Sequence, residues 1–281
     1  MKKYILTLIL ALASLGLYAQ TNRNKTIINA ALHGWEYEIK AGVNLGGTAP
    51  LPFPEEIRSI DGYNPTLSIT IEGNMTKWLD TKKKWGIITG LRLENKGMRT
   101  KATVKNYNME IIGYDGNRLK GNWTGGVRTK VQNSYITIPV LAAYKLSPRT
   151  TLKLGPYFSY LMDGDFSGHV YEGYLRETNP TGDKINFTNG AIATYDFSGD
   201  LRKFQWGVQA GVDWKAFKHL KVHADLNWGL NDIFNKDFKT VTFDMYAIYL
   251  NIGIRVCVLI QKFSTTDYLF STPPYPTSIF R

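Results

Sequence analysis

The sequence FQWGVQAGVDWKAF, residues 204–217, alternates strictly between two kinds of side chain. Aromatic and aliphatic residues hold the even positions from Phe204 to Ala216, and glycine, glutamine, aspartate and lysine hold the odd positions from Gln205 to Lys215. Successive side chains of a β-strand point to opposite faces, so this period of two predicts a strand with one apolar and one polar face.

Seven more stretches of the chain repeat this alternation, and the links between them alternate in length. The stretches begin at about residues 35, 64, 85, 134, 151, 220 and 245. Short links at 80–84, 147–150 and 218–219 alternate with long ones at about 49–63, 96–133, 163–203 and 231–244. Tight links on one rim and long loops on the other are typical of an up-and-down meander, and an even number of strands allows closure. The sequence therefore predicts an all-β fold, an eight-stranded antiparallel up-and-down barrel over residues 35–260.

The volume of the side chains decides which face of this barrel meets water. The interior of an eight-stranded barrel is just wide enough to be filled by side chains or to hold one small ligand. The apolar positions include five tryptophans and about six aliphatic residues per strand, which would overfill that space, whereas the polar positions are rich in glycine. We therefore predict that the apolar face contacts lipid and that the barrel is transmembrane. A soluble β-sandwich with half-buried aromatic residues is the alternative.

Aromatic side chains are expected near both rims, because tryptophan and tyrosine favour the two membrane interfaces. Trp206 and Trp214 are eight residues apart, which spans about 20 Å in a tilted strand, close to the apolar band of about 25 Å in such barrels. The predicted ring near the short links contains Trp35, Tyr37, Trp78, Trp85, Tyr144, Trp214 and Phe217, and the ring near the long links contains Tyr63, Phe158, Tyr160, Phe204, Trp206, Trp228 and Tyr246.

The first nineteen residues, MKKYILTLILALASLGLYA, have the composition of an export signal. Two lysines precede an apolar run that is shorter than the roughly 20 residues of a membrane-spanning helix, and small residues precede a cleavage site after Ala19. We therefore expect a signal peptide over 1–19, a periplasmic N-terminal segment over 20–34 and a periplasmic C-terminal tail over 261–281. The expected location is the outer membrane.

Charge is distributed unevenly in this chain, whose formal net charge is +11. Eight lysines and arginines lie between residues 96 and 131 against Glu110 and Asp115, whereas seven acids face four bases in 163–203. The opposite charges predict that these two loops dock on each other as a lid. The sequences KINF and IATYDF, on either side of Asn189-Gly190, predict a hairpin within the second loop.

The partners expected of such loops are outer-membrane lipid, lipopolysaccharide and other proteins. Barrels of this size usually carry their specificity in the loops. The basic charge comes with no recognised nucleic-acid motif, so we expect no nucleic-acid partner. The alternative to a contact surface is a pair of solvated hairpin extensions without a ligand.

The polar face of the strands carries both signs of charge in nearly equal number. Charged groups in a narrow interior are tolerated when they are paired, so we predict cross-strand ion pairs that plug the barrel. A small-solute channel is the alternative, although wide aqueous pores need about 16 strands. The acids are Glu36, Glu38, Glu72, Glu94, Asp213 and Asp225, and the bases are Lys40, Arg92, Lys145, Lys153, Lys215, Lys221 and Arg255.

A catalytic role for the interior is the weaker alternative. His223 and Asp225 share one face of a predicted strand, and some outer-membrane barrels that hydrolyse lipid A use a histidine with a nearby serine and an acid. No serine stands beside His223 in its strand, and the other three histidines show no metal-ligand spacing. We therefore predict no enzyme activity, no catalytic, cofactor-binding or metal-ligating residues, and no cofactor.

Four segments of the chain resemble the PorT-like outer-membrane β-barrel family of Bacteroidota. They are AGVNLG at 41–46, YITIPVLAAYKL at 135–146, LGPYFSYLM at 154–162 and GVQAGVDW at 207–214. The resemblance implies an eight-stranded barrel, and the founding member of the family takes part in type IX protein secretion. The resemblance thus implies protein components of a secretion machinery as partners, and we expect a non-enzymatic accessory or scaffold protein of protein secretion or envelope organisation that acts through its extracellular loops. About twenty residues follow the last predicted strand here, a departure from barrels that end on an aromatic residue, although Phe263 could be the strand end.

Overall fold

The computed structural model describes residues 35–113, 116–241 and 243–258. The predicted signal peptide, N-terminal segment and C-terminal tail lie outside this part of the chain. None of the described residues forms a helix long and apolar enough to cross a membrane. The elements are β1 (Trp35–Pro50), β2 (Ile57–Pro65), β3 (Ser68–Trp78), β4 (Trp85–Ile112), β5 (Arg118–Lys145), β6 (Thr150–Glu177), β7 (Lys184–Asp196), a 3-10 turn (Ser198–Asp200), β8 (Phe204–Lys215), β9 (Leu220–Gly229) and β10 (Met245–Val258).

Eight of the ten strands formed by the described residues close into an antiparallel ring. The order around the ring is β1, β3, β4, β5, β6, β8, β9 and β10, and β10 pairs back with β1 from Tyr37↔Val258 to Pro50↔Met245. This closure confirms the predicted eight-stranded up-and-down barrel. Strands β2 and β7 lie off the ring: β2 pairs with the far half of β4, and β7 pairs with the far half of β6.

The apolar face of the ring points outward, as the volume argument predicted. On β8 the side chains of Gln205, Gln209 and Asp213 are buried, whereas Trp206 and Trp214 are 42% and 50% exposed. The same alternation of buried polar and exposed apolar residues runs along β3, from Ser68 to Met75. The soluble sandwich with an apolar interior is therefore excluded.

Aromatic side chains mark both rims, with one correction. Trp85 and Tyr144 contact each other near the short links, with ring centroids 4.6 Å apart, and the rings of Phe158 and Phe204 stack at the other rim. Trp78 lies at the end of β3, near the short links as predicted, but its side chain continues the inward-facing series of that strand instead of facing lipid, and Lys145 Nζ lies 4.6 Å from its ring centroid.

Strands β4, β5 and β6 are each 28 residues long and continue well beyond the apolar band. Along this continuation the polarity of the two faces is reversed. On β4 the inward side changes from Arg92 and Glu94 to Met98, and the outward side changes from Leu93 to Lys101. The reversal reflects a change of surroundings from lipid to water. An outer face in water is polar, and the strands can then enclose an apolar core. We call this part, residues 57–65, 96–133 and 163–203, the extension.

The extension corrects two predictions about the long loops. Most of 96–133 and 163–203 is paired strand rather than irregular loop, and β4 pairs with β5 up to Ile112↔Arg118, the hairpin form that the alternative expected. The predicted hairpin at Asn189-Gly190 is wrong, because both halves of β7 pair with β6, at Leu175↔Ile185 and Val170↔Ala193. A single strand with one irregularity therefore replaces the hairpin.

The two segments of opposite charge do contact each other, although charge is not the main cause. Backbone pairing joins β5 to β6 along the whole extension, and Ile112↔Thr194 joins β4 to β7. One ion pair crosses between them, from Lys130 Nζ to Asp165 at 2.6 Å. Beneath this surface, buried apolar residues form a core that includes Met109, Trp123, Val131, Phe166, Val170, Leu175, Phe197, Phe234 and Tyr249. The extension is thus held by a sheet and an apolar core.

Candidate functional site

The interior of the ring is filled by a network of ion pairs centred on Asp225. One oxygen of its carboxylate lies 2.5 Å from Lys40 Nζ, and the other lies 2.7 Å from Lys153 Nζ. All three side chains are fully buried, and they come from β9, β1 and β6. Each lysine has a second acid: Lys40 pairs with Glu72, and Lys153 with Asp213.

Two arginines extend the network along the barrel. Arg255 Nη1 lies 2.8 Å from Glu38 and 2.9 Å from Asp213. Arg92 pairs with Glu72 through Nε and donates a hydrogen bond from Nη2 to the side-chain oxygen of Gln209. Glu38, Glu72, Asp213 and Asp225 each meet a cation from a different strand, and such pairing lowers the cost of burying their charges.

The predicted cross-strand ion pairs are therefore confirmed, and the buried charges balance. Among the described residues, five acids and five bases other than histidine are buried, counting Lys96. Glu36 and Lys221, also predicted inside, lie near the short-link rim and are partly exposed, and Glu36 pairs with Lys83 there. Lys215 is exposed. The interior is thus a packed and nearly neutral plug.

Lys96 is an interior residue that the sequence analysis assigned to a loop. Its Nζ lies 3.1 Å from Glu94 and within 6 Å of the ring centroids of Tyr135, Tyr157 and Tyr249. Cations are attracted to aromatic faces, so these rings can accommodate the buried ammonium group. The sequence alternation could have identified this residue, because Lys96 is an even-numbered position of β4 and continues the inward-facing series of Arg92 and Glu94. This layer separates the charged plug from the apolar core of the extension.

His223 lies inside the barrel, surrounded by network residues. Its Nε2 is 2.8 Å from Asn251 Oδ1, and Asn251 in turn donates a hydrogen bond to Asn44. Asp225, the acid predicted beside it, is engaged by two lysines. Among the described residues the hydrogen-bond partner of His223 is thus an amide rather than a serine. In the same part of the chain no cluster of three or more His, Cys, Asp or Glu residues could hold a metal ion.

The outer surface of the extension carries a basic hollow of about 490 Å³. Arg99, Arg128, Lys130 and His169 contribute to its wall, together with one acid, Asp196. Burial lowers the pKa of His169, and the nearby charge of Arg128 lowers it further. This hollow can attract an anionic group such as a phosphate.

Asp165 borders the same surface. Burial alone would raise the pKa of its carboxyl group, but hydrogen bonds from Lys130 and Ser167 outweigh that effect and lower the pKa. The negative charge of Asp165 offsets the positive charge of Lys130.

Comparison with known proteins identifies the barrel. A family model described as outer membrane protein beta-barrel domain matches residues 18–235. No curated protein matches the chain. Similar solved structures include Ail of Yersinia pestis, with 10% identity and a TM-score of 0.31 over 79% of this chain and 97% of that chain. Another is Neisserial surface protein A, with 10% identity and a TM-score of 0.27 over 80% of this chain and 97% of that chain. A third is the outer membrane protease OmpT from Escherichia coli, with 12% identity and a TM-score of 0.31 over 80% of this chain and 97% of that chain.

Proposed function

Because this chain belongs to the family of outer membrane proteins with a β-barrel domain, we propose that its extension faces the cell exterior and serves as a contact surface. The barrel itself lies in the outer membrane. In barrels of this kind the short links face the periplasm, which puts the extension outside. The proposed role is non-enzymatic: an accessory or scaffold protein of protein secretion or envelope organisation.

The observation that carries this proposal is the ordered architecture of the extension. Three strands of 28 residues continue past the lipid-facing band, and their inner faces bury a core around Trp123 and Phe166. A surface that is already rigid loses less conformational entropy when a partner binds. Such a platform is suited to holding another protein in a fixed position.

The contacts inside the ring support the proposal that the protein is neither an enzyme nor a channel. Among the described residues the five buried acids are paired with cations, and His223 contacts an amide. A histidine base needs a nucleophile within hydrogen-bond reach, which Asn251 is not. The plug also fills the path that a solute would take.

The narrower role, in a protein secretion machinery, is supported by the resemblance to PorT-like proteins. The basic charge of the extension adds a physical reason for association, because opposite charges steer partners toward each other. Exposed bases include Lys101, Arg118 and Lys120. We propose a protein partner with an acidic surface.

The test is to purify the tagged protein from outer membranes in mild detergent and quantify the proteins that remain attached. The variant Arg118→Glu/Lys120→Glu reverses two charges at the tip of the extension. The matched control is Lys82→Glu, on a short link at the opposite rim. We expect a defined partner that is lost from the double variant and retained by the control. Equal recovery of the same proteins by all three forms would contradict the proposal.

Lipopolysaccharide is a second candidate partner, favoured by the basic hollow around Arg128. Phosphate groups on that glycolipid would be attracted to Arg99 and Arg128. The measurement is binding of purified lipopolysaccharide to the wild type and to Arg99→Gln/Arg128→Gln. Loss of binding in the variant, with no protein partner recovered, would favour this candidate over the protein scaffold.

A further inference from the structure

The extension contains a second, quite different cavity, which is apolar and lies inside rather than on the outer face. Its volume is about 480 Å³, within the range of about 300–1,000 Å³ for ligand sites. The described residues that line it include no charged side chain. A cavity of about 150 Å³ holds one benzene molecule, so this one has room for roughly three such groups, or on the order of 18 carbon atoms.

The cavity begins where the lipid-facing band ends, on the side of the extension. Gly46, the next residue after the outward-facing Leu45 of β1, forms part of its floor, as does Ile248 of β10. The most exposed lining residues are Phe53, Ile60 and Tyr63, at 53%, 59% and 50%. These three side chains therefore surround the opening, which lies near the membrane surface and is itself apolar.

Strand β2 is shaped so that its apolar side chains face this cavity. Ile57, Ile60 and Tyr63 all line it, although their spacing is three residues rather than two. Two register shifts against β4 make this possible, one between Ile57 and Ser59 and one between Ile60 and Gly62. Such bulges re-aim side chains, and they occur often beside functional sites.

Three of the hydroxyl groups in the wall, those of Tyr63, Thr129 and Tyr195, have partners within the protein. Tyr63 donates a hydrogen bond from its hydroxyl to the carbonyl of Gly46 at 2.7 Å, and Thr129 Oγ1 lies 2.6 Å from the hydroxyl of Tyr195. Burial raises the pKa of Tyr195 and of Tyr107, which line the same wall. A ligand with many polar groups would find few partners here, whereas hydrocarbon loses nothing by entering.

We propose that this cavity binds one fatty acyl chain, which enters past Phe53, Ile60 and Tyr63 from the outer leaflet of the membrane. The chain belongs either to a membrane lipid or to a free fatty acid, and its head group remains at the opening. Three methionines, Met98, Met109 and Met245, line the wall. Their flexible side chains can adapt to a chain of variable path.

The test uses the full-length mature protein, refolded without lipid in an amphipathic polymer. The probe is cis-parinaric acid, a fluorescent fatty acid, and the competitors are palmitate and a palmitoyl lysophospholipid. We expect saturable binding at one site. Competition by both compounds indicates recognition of the chain alone, and competition by the lysophospholipid alone indicates a membrane lipid as the source. Failure of the probe to saturate, or competition by neither compound, would overturn the proposal.

Two variants of the same strand locate the site. Ala102→Phe places a ring in the cavity, whereas Lys101→Phe adds the same ring on the outer face, one residue earlier. The first should weaken probe binding by about tenfold or more, and the second should leave it unchanged. Equal affinities for both variants would overturn the assignment.

A third variant keeps the proposal testable if Ala102→Phe does not fold. Phe243 lines the cavity beside Tyr107, with ring centroids 5.6 Å apart. Phe243→Ala enlarges the cavity, so longer fatty acids should compete several-fold better than they do against the wild type. An unchanged chain-length profile in this variant would overturn the proposal. Lys101→Phe removes one base of the surface proposed for a protein partner, but Ala102→Phe and Phe243→Ala leave Lys101, Arg118 and Lys120 unchanged, so the two proposals fail independently.

Discussion

Asp225→Asn is the substitution that most directly tests the charged plug. It keeps the size of the side chain but removes the negative charge that lies 2.5 Å from Lys40 and 2.7 Å from Lys153. The three side chains are 0% exposed, so water cannot compensate for the lost charge. The interior would then carry an excess of one positive charge.

The expected loss of stability depends on the acids that remain beside Lys40 and Lys153. Breaking a buried ion pair by removing one partner costs about 3–5 kcal/mol, because the other charge stays buried without compensation. Here Lys40 retains Glu72 at 3.2 Å and Lys153 retains Asp213 at 2.6 Å. We therefore expect the lower end of that range, a decrease of about 3 kcal/mol in the free energy of unfolding.

The assay is equilibrium unfolding in urea of the protein in detergent micelles, followed by tryptophan fluorescence. The matched control is Asp165→Asn, which breaks an ion pair of similar length on the surface of the extension and should cost less than about 1 kcal/mol. Asp225→Asn/Lys153→Gln removes both charges and should recover part of the loss, since no excess charge remains buried. Equal losses for Asp225→Asn and Asp165→Asn would refute the reasoning.

Three further predictions concern the closure of the barrel, the conduction of ions through it and the removal of the signal peptide. Gly253→Ala should lower the free energy of unfolding in urea by about 1–3 kcal/mol, because its Cβ would lie 2.0 Å from the carbonyl oxygen of Ala41 on the closing strand; Gly73→Ala, with nothing within 4 Å, is the control and should be neutral. The filled interior predicts no stepwise conductance in a planar bilayer, and regular steps would mean that the plug opens. Intact mass measurement of protein from outer membranes should give a chain that begins at Gln20, and a mass that includes residues 1–19 would contradict the predicted signal peptide.

The strands and the direction of their faces could be predicted because both are local properties. Residues 204–217 carry the period of two in adjacent side chains, and the bulk of the tryptophans excludes an apolar interior. The extension was missed for a related reason. The alternation continues through Met98, Thr100 and Ala102, but its polarity is reversed, so it no longer matched the pattern expected of lipid-facing strands.

The contacts inside the barrel could not be predicted from the sequence. It supplied the acids and bases of the interior and their near balance, but it could not pair Lys40 with Asp225, 185 residues away. Pairing depends on strand register and on closure of the ring, which are set jointly by many distant residues. The apolar cavity likewise exists only because β2, with its two bulges, lies beside β1 and β4. The sequence by itself therefore determined the strands and the medium on each side of them, and the tertiary structure alone decided which side chains meet.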